Sequence, residues 1–203
     1  MIWIKLGIIL TGFIYAGILP YVTKKTIQHI DIDLSTQTLS FLSNKNLYGK
    51  KYVKGYKRLL FATAILVYIF FWLLTEFYDL GKYELLMRYI DYSAALLTLL
   101  AFIPHNIQPY SLKHLKMTIQ RLMHNLLAVV VFLVLPTLIV IFQITVLPKE
   151  QFLGVLGLII IGITVLLTIF SIIKNGITGF TEIIFINGIS VWSIVVTIIT
   201  FLS

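Results

Sequence analysis

Residues 103–136 read IPHNIQPYSLKHLKMTIQRLMHNLLAVVVFLVLP. The stretch holds three of the four histidines (His105, His114, His124) and three of the five prolines (Pro104, Pro109, Pro136). Downstream of Pro109, Lys116, Gln120 and His124 recur every four residues, and so do Met117, Arg121 and Asn125. That spacing places them on adjoining stripes of one helix. From Leu126 to Phe142 only Pro136 and Thr137 interrupt the apolar side chains. A helix that begins polar and basic and then turns apolar predicts a membrane span with a charged collar at one mouth.

Working outward, the same alternation of apolar run and charged segment recurs along the chain. Its 203 residues are 59% hydrophobic and only 12% charged, with a mean hydropathy of +0.99. Those values exclude an ordinary soluble domain. Crossing the hydrocarbon takes about 20 helical residues. Runs of near that length lie at about 2–22, 59–77, 86–103, 122–142, 152–173 and 183–202, with a basic loop at 23–58. The first run carries Ala16-Gly17 without a cleavage pattern and reads as a retained span, not a signal peptide. The predicted fold is all-α: one polytopic integral membrane domain over 1–203, a six-transmembrane-helix bundle. Gly154, Gly157 and Gly162 in the fifth span would permit close helix contact. Trp192 lies too deep in the sixth for an interface belt and should face protein or a cavity.

Charge sets the orientation and the candidate partners. The net charge is +8, which in so apolar a chain points to anionic lipid and away from nucleic acid. Twelve of the sixteen Lys and Arg residues fall in 23–58, 104–121 and 174–182. The other four, Lys5, Lys82, Arg88 and Lys149, fall on the opposite side. By the positive-inside rule both termini are expected outside, in a multi-pass protein of the cell membrane. Within the basic loop, Tyr48, Tyr52 and Tyr56 recur every four residues among Lys50, Lys51, Lys54, Lys57 and Arg58. On a helix the tyrosines would line one side and the basic residues the remainder, as suits a headgroup layer. These five basic residues are the candidate anionic-lipid contacts, each worth about 1 kcal/mol beside an anionic leaflet. Gly49 and Gly55 count against a helix, and a solvated loop that only fixes orientation is the plainer reading.

Polar residues inside spans are costly and so are suspects for function. Asp91 and Glu182 have a plainer account, as acids in the first turns of spans three and six, where the helix dipole favours negative charge. Glu76 sits at the end of span two. Arg121, His124, Asn125 and Glu182 lie at one depth and form the candidate polar cluster, with a His124–Glu182 or Arg121–Glu182 pair if spans four and six touch. A helix-end histidine bound to a backbone carbonyl is the alternative. His105, His114 and His124 are nine and ten residues apart, which does not place two on one helical face, so no metal site is expected. No cysteine is present, and no phosphate-binding glycine loop or GxSxG motif. No cofactor is implied.

Phe102-Ile103-Pro104, His124-Asn125-Leu126-Leu127-Ala128, Phe132, Gly179-Phe180-Thr181-Glu182, Gly188 and Trp192 occur in an order that carries a resemblance. Over about residues 95–195 it resembles an uncharacterised bacterial family of small six-span membrane proteins, a domain-of-unknown-function group. That group is distantly similar to the damage-regulated autophagy modulator (DRAM-like) proteins, as is Leu19-Pro20-Tyr21 after span one. Ile183 departs from the pattern, standing where a basic residue follows the glutamate. The resemblance implies six helices and marks His124 and Glu182. It also implies a first long segment outside the cytoplasm, opposite to the charge count, and no established activity.

Three functions stand at this point. The favoured one is a non-enzymatic membrane module that binds membrane lipids or a protein partner, which could be a second copy of the chain. The alternatives are a small transporter or channel with its mouth at His124, Asn125 and Glu182, and an intramembrane enzyme using a His/Glu pair.

Overall fold

The computed structural model describes residues 1–105 and 112–203. Residues 106–111, which include Pro109 and part of the polar loop before His124, lie outside the described residues. Six helices follow one another: α1 Ile2–Ile27, α2 Lys45–Phe77, α3 Glu84–Phe102, α4 Leu115–Val146, α5 Gln151–Asn175 and α6 Gly179–Leu202. Short 3₁₀ helices occupy Leu39–Ser43 and Leu112–His114, and no strand occurs among the described residues. All six α-helices are long and apolar enough to cross a membrane. The chain is built as a multi-pass membrane protein, an all-helical six-helix bundle.

Each helix packs against the next in sequence, and α6 returns to pack on α1. The six therefore close a ring. Its axis is filled by aromatic rings: Phe70 and Phe71 of α2, Phe142 of α4 and Trp192 of α6. Phe71 stacks on Trp192 at 5.5 Å, and Phe142 meets Trp192 edge-on at 6.2 Å. A buried indole N–H needs an acceptor. Gln143 supplies it: its amide oxygen accepts from Trp192 Nε1 (2.7 Å) and its amide nitrogen donates to the Leu153 carbonyl (3.0 Å). Gln143 fits because Gly157 has no side chain; a Cβ there would lie 2.2 Å from the amide. The α1–α6 seam has the same character, since a Cβ on Gly12 would lie 2.0 Å from Thr197 Oγ1. Ser193 Oγ donates to the Gly12 carbonyl across that seam (3.1 Å). Close backbone approach through small residues substitutes for a hydrophobic drive that lipid does not supply. Gly154 is likewise in close contact, with Leu147, whereas Gly162 faces open space.

The helices extend past the apolar runs. At about 1.5 Å per residue, the 33 residues of α2 reach about 50 Å, well beyond a hydrocarbon core of about 30 Å. Thus Lys45–Arg58, for which a solvated loop is the plainer reading of the sequence, is helical in two pieces that meet at Gly49, the second of them continuous with the second span. Asn44 starts it, its Oδ1 accepting from the backbone N–H of Asn46 and Leu47, as a helix cap does. Gly49 takes a non-helical φ of 78° and ψ of 174° and kinks the helix there. Pro20 and Pro136 lie inside α1 and α4, and neither ends its helix. The start of α3 at Glu84 corrects the account of Asp91. That residue lies about two turns in and is exposed on the bundle surface, beyond the first turn where the dipole could account for it.

Two ends can be distinguished. At one, Lys149 Nζ donates to the carbonyls of Tyr78 (2.6 Å) and Asp79 (2.8 Å), joining the α4–α5 turn to the α2–α3 turn. At the other, the segment between α1 and α2 crosses the bundle as a strap. Gly179 N donates to the Gln37 carbonyl (2.8 Å) and Phe180 N to the Leu34 carbonyl (3.2 Å), fixing the strap to the start of α6. His105 N donates to Ser43 Oγ (2.6 Å), fixing its far side to the end of α3. Leu39 and Leu42 point inward and are buried. In the strap, Asp33 accepts from Ser35 N, Ser35 Oγ and Thr36 Oγ1, which holds its carboxyl below the usual carboxylate range.

Candidate functional site

Beneath the strap, the inner faces of α1, α2, α3, α4 and α6 diverge and leave a cavity of about 480 Å³. That lies within the range of small-molecule sites, about 300–1,000 Å³. Its walls are mainly apolar: Leu97 and Leu100 of α3, Val131 and Leu135 of α4, and Ile186 of α6. Phe132 and Phe185, stacked at 4.4 Å, link α4 to α6 along its wall. Leu39, Ser40 and Leu42 of the strap cover it.

The helical start of α2 turns a scattered set of basic residues into a stripe. Lys51, Lys54 and Arg58 are spaced i, i+3, i+7, so they share one face. All three border the cavity and are exposed at its edge. Lys50 and Lys57 do not border it. Lys57 lies 4.0 Å over the Phe102 ring, beside a second space of about 180 Å³ between α2 and α3. Tyr48, Tyr52 and Tyr56 fall on the inner side and are half-buried. Tyr56 hydroxyl meets Ser40 Oγ at 3.4 Å beside the cavity. The candidate lipid contacts of the sequence thus divide into three that face the cavity and two that do not.

Glu182, in the first turn of α6, is 8% exposed and borders the same cavity. One of its oxygens, Oε2, accepts a short hydrogen bond from Leu39 N. The two ion pairs among the described residues are Glu84–Arg88 (3.0 Å) and Asp79–Lys149 (3.3 Å), so no basic side chain there neutralises Glu182. A buried carboxylate with a single backbone donor is an expensive arrangement unless something else completes it.

The other members of the polar cluster gather elsewhere. His124 is 1% exposed, and its Nδ1–H donates to the Ile103 carbonyl at 2.5 Å. Its ring meets His105 at 5.2 Å, and His105 in turn meets Phe41 at 4.9 Å. Neither His124 Nε2 nor His105 Nδ1 has a hydrogen-bond partner among the described residues. Arg121 and Asn125 are half-buried on the neighbouring faces of α4. No hydrogen bond or ion pair among the described residues joins His124 or Arg121 to Glu182. α4 and α6 do meet through Phe132 and Phe185, but the acid and the imidazole serve different corners of the strap. The backbone-carbonyl alternative is the one His124 adopts. His105, beside it, carries no helical-spacing signal, because the contact is made by a loop. No group of three His, Asp or Glu side chains that could hold a metal ion occurs among the described residues.

Comparison with protein-family models, with curated proteins and with solved structures gives no match.

Proposed function

We propose that this chain is a lipid-binding module of the cell membrane. It holds one phospholipid with an acyl chain in the cavity and the phosphate against Lys51, Lys54 and Arg58. The observation that carries this reading is the coincidence of a largely apolar chamber of about 480 Å³ with three exposed basic side chains along one edge. Each methylene withdrawn from water is worth about 0.8 kcal/mol, and each basic residue near an anionic group about 1 kcal/mol. An acid–base enzyme would require His124 and Glu182 within reach of one another, and each takes a separate backbone partner. The basic end of the bundle faces the cytoplasm in this reading, with both termini outside.

Native mass spectrometry of the detergent-extracted protein tests it. Wild type should retain a lipid adduct, and Lys51→Gln/Lys54→Gln/Arg58→Gln should lose about 90% of it, as expected for some 1.4 kcal/mol or more of lost affinity. Lys50→Gln/Lys57→Gln removes charge from the same helix away from the cavity and should retain the adduct. Bare wild-type protein, or equal loss in both variants, would sink the proposal.

A further inference from the structure

The cavity carries charge of opposite sign on two of its walls. Lys51, Lys54 and Arg58 border it from α2, and Glu182 borders it from α6. Glu182 is the one acid that borders it among the described residues, and it is committed only through Oε2, to Leu39 N. A phosphate alone would satisfy the α2 side and leave the carboxylate uncompensated. Two ligand groups are therefore called for on one apolar molecule: an anion for α2, and an N–H or O–H donor for Glu182. Of these donors an ammonium fits best. It neutralises the carboxylate, and its hydrogen bonds to it are charge-assisted, about twice as strong as neutral ones. A second anionic group would be repelled by Glu182, which adds discrimination by exclusion.

Resting on the lipid-binding reading above, we infer that Glu182 makes the cavity selective for a phospholipid with a primary amine in its headgroup, the phosphate lying on the α2 stripe and the ammonium on the Glu182 carboxylate. A quaternary ammonium keeps its charge and has no N–H to give. A glycerol headgroup gives hydroxyls and has no cation. Both should bind less well than the amine.

The test uses the full-length protein and three lipids with identical acyl chains, phosphatidylethanolamine, phosphatidylcholine and phosphatidylglycerol, competing at equal concentration in native mass spectrometry. Wild type should favour the ethanolamine lipid by about tenfold, the difference that about 1.4 kcal/mol of headgroup recognition makes. Glu182→Gln keeps an oxygen for Leu39 N and should bind lipid with that preference reduced to near one. Where the variant folds poorly, N-methylated ethanolamine lipids offered to wild type read the same interaction, with retention declining as each N–H is replaced by methyl. Wild type that retains lipid without distinguishing ethanolamine from choline would overturn the inference and leave the lipid-binding reading standing. Wild type that retains no lipid would overturn both.

Discussion

His105 sits just past the end of α3, pressed between Phe41 and His124. Burial comes first, and then the positive charges of His124 and Arg121, in pushing its imidazole pKa from 6.5 down to about 4. Between those values the unfolded chain binds a proton that the folded chain refuses, so stability falls as the pH drops. The contribution of His105 is fully present above about pH 6.5 and is lost progressively toward 4. From pH 6.5 to 5 it amounts to at most about 2 kcal/mol. Thermal unfolding of the purified protein should show a midpoint that declines over this range, and His105→Gln should flatten the decline. An equal slope in the two proteins would refute the assignment. At this scale the sequence was half legible. His124 and Glu182 stand out as polar groups inside apolar runs, because lipid makes such groups conspicuous. Their partners, the Ile103 carbonyl and Leu39 N, come from chain reversals that helical periodicity does not encode.

Among the elements, α2 departs most from its hydropathy. An apolar run finds the part of a helix that crosses hydrocarbon, and the remaining 14 residues before Leu59 are polar. Asn44 caps the short piece before Gly49, and the tyrosines of both pieces lie on the inner side, by the strap. The two glycines that count against the helix are not equivalent. Gly49, at φ 78°, holds a backbone geometry nearly confined to glycine, whereas Gly55 is helical with open space around it. Gly49→Ala should therefore destabilise the protein by about 1–3 kcal/mol. Gly55→Ala should be neutral or stabilising by up to about 1 kcal/mol, although a methyl there also narrows the cavity edge. Denaturation of the two variants side by side reads the difference, and equal stability would show that the kink is not required. All six helices were legible in the sequence as apolar runs. The basic stripe of Lys51, Lys54 and Arg58 was legible as spacing, and its place beside the cavity was not.

For the whole molecule, charge asymmetry and fold agree on which links share an end. The basic segments between α1 and α2, α3 and α4, and α5 and α6 lie together, and the α2–α3 and α4–α5 turns are joined at the opposite end by Lys149. The proposed placement of the basic end in the cytoplasm rests on the positive-inside rule. Because the chain has no cysteine, single exposed substitutions report on this directly. On intact cells a membrane-impermeant maleimide should label Lys82→Cys and spare Lys24→Cys. Labelling in the reverse pattern would invert the orientation and match the one implied by the DRAM-like resemblance.

Closure of the ring through α1 and α6 has a consequence in time. Helices enter a membrane in the order of synthesis, so the seam of Gly12 with Ser193 and Thr197 is the one that must wait for every other helix. Before then, five helices form an open crescent, and Gly12 meets Phe70 of α2 but not yet Thr197. Glu182 and Phe185 enter with the helix that shuts the crescent. The wall that carries the buried acid is therefore the last to be placed, and the cavity has its full lining only once the sixth helix is in.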